Sequence, residues 1–251
     1  MDSREPVYQG GEGHGIHGRL DPTESDCINW AFWLEVADVA ELGGLVTAAA
    51  HMRHFLGNSG GKLEVDLYEF GTRSPLLLGN VAVAQEAAAE HAAARLSQSE
   101  DLDYQEFRAP TMEFEANESE FARSENEDLY FAVAGNEQKV WSTCTFEPDL
   151  LGGGLVLVET CLRLWDEYNW DAGKTTQIAG VTVSDATLGR LHSVGLAQEF
   201  PIRGRRYDQR AFRFSAAQLS SGGAGDIEGD SRPRDVRDST GRMDSSRETG
   251  R

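Results

Sequence analysis

The chain has 251 residues, 39% of them hydrophobic, and its 23 basic residues against 42 acidic ones give a formal net charge of −19. Such a balance argues against nucleic acid or an anionic membrane surface as a partner, since phosphate binding needs a basic face. The length fits one large domain or two small ones, and the modest apolar content predicts that part of the chain lies outside a core.

Residues 1–26 are rich in glycine, acids and histidine and read as a disordered arm, with His14 and His17 of GHGIHG in a solvated tail. MDSREPVYQGGEGHGIHGR has no apolar h-region, so no signal peptide is expected. No run approaches the roughly 18 apolar residues of a membrane span. The expected location is the cytoplasm, or outside it by export without a signal peptide.

Residues 27–98 have helical character. INWAFWLEVADVA sets Trp30, Trp33, Leu34 and Ala37 at helical spacing. LVTAAAHMRHFL is a second helix, stopped by the glycines of GNSGG, and VAVAQEAAAEHAAARL is a third, alanine-rich one. KLEVDLYEF between them alternates and is a short strand or the edge of a loop. Residues 99–128 carry eleven acids against two arginines and read as an acidic connection, with TMEFEA as a strand candidate.

Residues 129–215 read as a β-rich part with one helix. LYFAVAG, KVWSTCTF and LVLVETCLRLW have the look of strands, the last placing Val156, Val158, Thr160, Leu162 and Leu164 on one face. EPDLLGGG reads as the glycine-rich turn of a hairpin. TTQIAGVTV is a short strand, SDATLGRLHSVGLAQEF a helix capped by Ser184 or Asp185, and FPIRG and RRYDQRAFRFS are closing strands. Residues 216–251 have almost no apolar side chains and read as a disordered tail. The expected fold class is α+β: N-terminal helices packed with an antiparallel sheet that one helix crosses, between disordered tails.

Chemistry concentrates in LWDEYNWDAGK, residues 164–174, at the end of a strand. In one reading it is a corner fixed by Asn169 and Asp171 turns, with Trp165, Tyr168 and Trp170 packed on the sheet and Lys174 paired to an aspartate. That corner then serves a protein-interaction surface through Trp170, Lys174, Glu199 and Arg203. In the other reading Asp166, Tyr168, Asp171 and His192 share a cleft as the acid–base set of a hydrolase, and Arg203, Arg205 and Arg206 receive an anionic substrate. His192 itself reads either as a hydrogen-bonded boundary residue of its helix or as that acid–base partner.

His51 and His54 stand three residues apart on one helix, with Glu86, Glu90 and His91 on the next. Zinc needs three or four ligands, so an interhelical contact with Arg53 exposed is the expectation, and neither a metal nor a cofactor is expected. GxxxxGK[ST], HExxH and CxxC are absent from the sequence. Cys27, Cys144 and Cys161 are too scattered for a zinc module or a disulfide framework and are expected to be reduced.

WDEYNWDAGK, IAGVTVSDATLGRLHSVGLAQEF and PIRG together resemble a segment of uncharacterised bacterial proteins, many actinobacterial and some associated with polymorphic toxins. AAHMRHFLGNSGG resembles an upstream element of the same family. The resemblance implies a toxin- or secretion-related setting and a protein partner, and it names no activity. The D-x-Y of Asp166 and Tyr168 is also faintly similar to the catalytic loop of colicin M-like bacteriocins, which cleave a lipid-linked peptidoglycan precursor. Here Asn169 stands where that loop has a second acid, and Gly173-Lys174 where it has a basic pair. Two functions follow as expectations: a non-enzymatic interaction module, or an antibacterial effector hydrolase acting on a cell-envelope component.

Overall fold

The computed structural model of the chain describes residues 16–100, 102–115, 119–133, 135–170, 175–178, 181–222 and 229–230. The fold is α+β. Its helices are α1 (Glu24–Leu42), α2 (Val46–Leu56), α3 (Leu67–Arg73), α4 (Pro75–Leu96), α5 (Glu127–Val133), α6 (Asp185–Ser193) and α7 (Ala216–Ser220). Its strands are β1 (Leu63–Asp66), β2 (Gln105–Arg108), β3 (Met112–Phe114), β4 (Glu137–Pro148), β5 (Gly154–Tyr168), β6 (Thr175–Ile178), β7 (Val181–Ser184), β8 (Phe200–Phe214) and β9 (Gly229–Asp230). The main sheet has the order β1-β8-β5-β4-β2, with β3 also on β4 and β9 on β8, and β6-β7 form a separate two-stranded sheet. No helix among the described residues is long and apolar enough to cross a membrane.

The chain divides into two compact units. The second comprises Asp66–Glu115, Glu137–Leu164 and the residues from Arg205 onward. Alternation along β5 buries Val156, Val158, Thr160, Leu162 and Leu164, the face that the sequence pattern selects. Onto this sheet α4 lays Ala88, Ala89, Ala92 and Ala93, against Cys144, Phe146, Val156 and Val158. Small side chains let helix and sheet approach closely, and the Cys144 thiol donates to the Ala88 carbonyl at 3.4 Å. The β4–β5 turn is tied by Asp149, whose carboxylate accepts from the N–H groups of Leu151 and Gly153. A Cβ on Gly153 would fall 2.4 Å from the Phe214 carbonyl oxygen, so the glycine run is a packing requirement as well as a turn.

The first unit comprises the residues up to Val65, Ala116–Asn136 and Trp165–Gly204. It holds α1, α2, α5, α6 and the β6-β7 hairpin. α1 opens with a capping box in which the Asp26 N–H donates to the Thr23 hydroxyl and the Thr23 N–H to the Asp26 carboxylate. Asp26 also accepts two 2.7 Å bonds from Arg190 of α6, and these hold its carboxyl well below the ordinary range. α2 starts at a leucine with no capping side chain. Its free N–H groups are met from α5 instead: the Asp128 carboxylate accepts from Thr47 at 3.0 Å and Ala48 at 2.8 Å.

Several elements differ from the sequence expectation. LYFAVAG, strand-like in composition, is the helix α5, because Leu129, Ala132 and Val133 bury at helical spacing and the Asn126 side chain caps the Leu129 N–H at 2.9 Å. TTQIAGVTV is two strands rather than one, since Ile178 pairs back on Val181. FPIRG and RRYDQRAFRFS are one strand, β8, whose inward alternation runs through Gly204 to Arg206. α6 ends at Ser193, where Gly195 at φ +74° lets the Leu196 N–H return to the Leu191 carbonyl. KLEVDLYEF divides into β1 and α3, and the acidic connection holds β2 and β3. The segment before α1 is docked on α6 through Gly18 and Leu20 N–H bonds to the His192 and Ser193 carbonyls. His17 is therefore not solvated but bonded to Asn58 at 2.7 Å.

Candidate functional site

The segment read as the chemical corner lies in the first unit, and its backbone is held from within. Arg203 donates to the Asp166 carbonyl at 3.0 Å and lies 3.6 Å from the Glu167 carboxylate. The Trp170 N–H donates to Glu199 at 3.2 Å, and the Glu199 N–H donates to His192 Nδ1 at 3.2 Å. With Nδ1 accepting, a neutral His192 carries its proton on Nε2, which lies 3.9 Å from the Glu199 carboxylate. His192 is buried, its ring edge-on to His17 at 5.3 Å. The frame of the corner thus has two hydrogen-bonded sets, Asp166 with Arg203, and Trp170 and His192 with Glu199. Asp171 and Lys174 lie outside the described residues.

Within that frame the Asp166 carboxylate accepts from the Glu167 N–H at 2.8 Å. Burial pushes it well above the ordinary carboxylate range; the Glu167 bond and the Arg203 charge oppose the shift and the Glu167 charge adds to it. Tyr168 stacks on Phe200 at 4.9 Å and meets Trp170 edge-on at 5.4 Å, and burial raises its phenol above the usual value. Of the four residues of the hydrolase expectation, Tyr168 alone among those described lines the cavity of this unit.

That cavity has a volume of about 370 Å³. It is lined by small residues of α1 and α2, by Met52, by the rings of Tyr130, Phe131, Tyr168 and Trp170, and by Asp185 at the start of α6. Asp185 is the one formally charged residue of its described lining. Its size is at the lower end for small-molecule sites, and an apolar, aromatic lining with few polar groups is the usual character of such sites.

A second feature of the unit is the outer face of α1. The inner face buries Asp26, Trp33, Val36, Ala37 and Ala40, so Trp33 and Ala37 of the expected apolar face are fully inside while Trp30 and Leu34 stand at its margin. The opposite face exposes Ile28 (63%), Phe32 (48%), Val39 (52%) and Leu42 (89%), with exposed Glu35 between Phe32 and Val39. These five positions follow the four-three spacing of a coiled-coil seam. α1 contains five acidic residues and no lysine or arginine, so the seam has acidic surroundings.

The histidines of α2 are structural. His51 is buried with Nδ1 at 3.1 Å from the Ala132 carbonyl, and burial lowers its pKa; His54 Nε2 is 2.7 Å from the Gly61 carbonyl. Arg53 is half-exposed and bonds Asp38 and Glu41 of α1, whereas the expectation paired this helix with that of Glu86, Glu90 and His91. Among the described residues no group of three or more His, Cys, Asp or Glu could hold a metal ion. Arg206, expected to serve an anionic substrate, is buried on Asp208 at 2.7 Å and on the Tyr68 ring. Cys27, Cys144 and Cys161 are free thiols, the last two buried.

Two positioning residues escape a reading of the sequence. Asp26 falls at the end of the glycine-rich arm and Asp128 at the end of the acidic run, where composition hides them. The legible trace of Asp26 is its place three residues after Thr23; that of Asp128 is the missing cap at the start of α2. The chain matches no protein-family model, no curated protein and no solved structure.

Proposed function

We propose that the chain is a non-enzymatic protein-interaction module whose contact surface is the outer seam of α1. The observation that carries this reading is the exposed row of Ile28, Phe32, Val39 and Leu42 at coiled-coil spacing, on a helix whose other face is already buried. A helix that is apolar on two sides has a reason to be so when each side has a partner. The partner chemistry follows from charge. A second copy of α1 would set acids against acids, with Glu35 inside the contact, whereas an apolar helix flanked by lysine or arginine complements both seam and rim. The resemblance of the corner segment to toxin-associated bacterial proteins supports a toxin- or secretion-related setting for such a contact.

The test uses two synthetic amphipathic helices with leucine at the seam positions, one flanked by lysine and one by glutamate, titrated into the protein by calorimetry. The lysine peptide is expected to bind and the glutamate peptide not to. A Phe32→Gln/Leu42→Gln variant keeps the charge and removes two exposed apolar groups, so it should lose most of the affinity. Equal binding by variant and wild type would reduce the effect to bulk attraction by an acidic protein and sink the reading.

A further inference from the structure

We propose that the cavity of the first unit is a binding site for a compact organic ammonium ion, a small molecule whose cationic head is surrounded by methyl or methylene groups. This goes beyond the protein-interaction reading: the cavity and the outer face of α1 are formed by different residues, and either can stand without the other.

The lining carries the argument. Four aromatic rings contribute to one cavity, those of Tyr130 and Phe131 on α5, of Tyr168 at the end of β5 and of Trp170 just after it. The Tyr168 and Trp170 rings meet at 89° with centroids 5.4 Å apart, and Tyr168 gives one face to Phe200. Aromatic faces attract cations through the ring quadrupole, and most strongly where the cation has shed water. One face of the Phe131 ring already holds the Arg123 guanidinium, 4.8 Å from its centroid, so a ligand cation falls to the other ring faces of the lining.

Charge then selects the sign of the ligand. Asp185 is the formally charged residue of the described lining, and no basic residue of that lining would receive an anion. The start of α6 brings a partial positive charge to the same place, which offsets part of the carboxylate field. The rings tip the balance toward a cation, and the bulk charge of −19 acts in the same direction at longer range. Alanine side chains and the flexible Met52 thioether suit the alkyl body of such a ligand better than a hydrated metal or a bare ammonium. The volume of about 370 Å³ restricts it to a compact molecule.

The experiment pairs choline with 3,3-dimethylbutan-1-ol, which has the same shape with carbon in place of the charged nitrogen. Methyl-labelled methionine in the full chain reports the site, because Met52 lines the cavity while Met112 lies on β3 outside its described lining. The expected result is a saturable shift of the Met52 methyl signal, at least tenfold tighter for choline than for the alcohol, with the Met112 signal unmoved. A Tyr130→Leu variant should weaken choline several-fold and leave the alcohol nearly unaffected. Equal or tighter binding of the alcohol overturns the ammonium assignment, as does a parallel shift of Met112 or the absence of any shift. The wild-type comparison decides the matter if the variant does not fold.

Discussion

Asp26 and Asp166 are both carboxylates withdrawn from water, and their pKa values move in opposite directions because of what meets them. Arg190 donates two bonds to Asp26, so the folded state favours the ionised form. Asp166 has one backbone donor and Arg203 nearby, which do not offset its desolvation, so the folded state favours the protonated form. The signs separate accordingly. Stability from Asp26 is present above the unfolded carboxylate value of about 3.9 and is lost as pH falls below it toward the depressed folded value. For Asp166 the unfolded chain ionises first, so stability is lost as pH rises through about 4 and onward to the raised folded value. Asp166→Asn keeps an oxygen for the Glu167 N–H and removes the titration. Its thermal midpoint should exceed that of wild type by a few degrees at pH 7 and match it at about pH 3. A variant less stable than wild type at pH 7 would show that the ionised carboxylate and Arg203 together stabilise the corner.

At the scale of elements, misread segments were those whose composition and environment disagree. LYFAVAG is rich in residues that favour strands, yet two side chains from just before it, Asn126 and Asp128, fix a helix and dock it on α2. Local pattern does not show the Asp128 bonds, since its partners lie about eighty residues away in sequence. That Val156, Val158, Thr160, Leu162 and Leu164 share one face of β5 was legible from the period of two; that Cys161 and Trp165 bury on the other face was not. The alanines of α4 were legible as a helix but not as a contact surface: propensity accounts for their presence, and only the sheet beneath accounts for their burial. The consequence can be tested. Ala92 is fully buried, so Ala92→Leu adds three carbons where helix and sheet already touch. It should destabilise the protein by roughly 1–3 kcal/mol in denaturant melts, whereas the same change at exposed Glu90 should be near neutral. A neutral Ala92→Leu would mean that α4 can lift from the sheet at little cost.

For the whole molecule the controlling quantity is the excess of 42 acids over 23 bases. Composition made that excess legible at once; the placement of individual charges needed the fold. Several arginines are committed to internal pairs, Arg190 on Asp26, Arg53 on Asp38 and Glu41, and Arg206, which was expected to receive an anionic substrate, on Asp208. Those pairs leave the surplus acids facing one another across a surface with few cations to separate them. Water and salt weaken the exposed members of these pairs, such as those of Arg53, while unscreened repulsion among many like charges acts over the whole surface. Raising sodium chloride from roughly 10 to 200 mM shortens the Debye length from about 30 Å to under 10 Å, which removes distant repulsion first and contact pairs last. The thermal midpoint should therefore rise with salt over that range. A falling midpoint would show that the ion pairs outweigh the net charge. In that case Asp26→Asn, which breaks the pair joining α1 to α6, should abolish most of the salt dependence; if repulsion dominates, the same substitution leaves the slope nearly unchanged while lowering stability at every salt concentration.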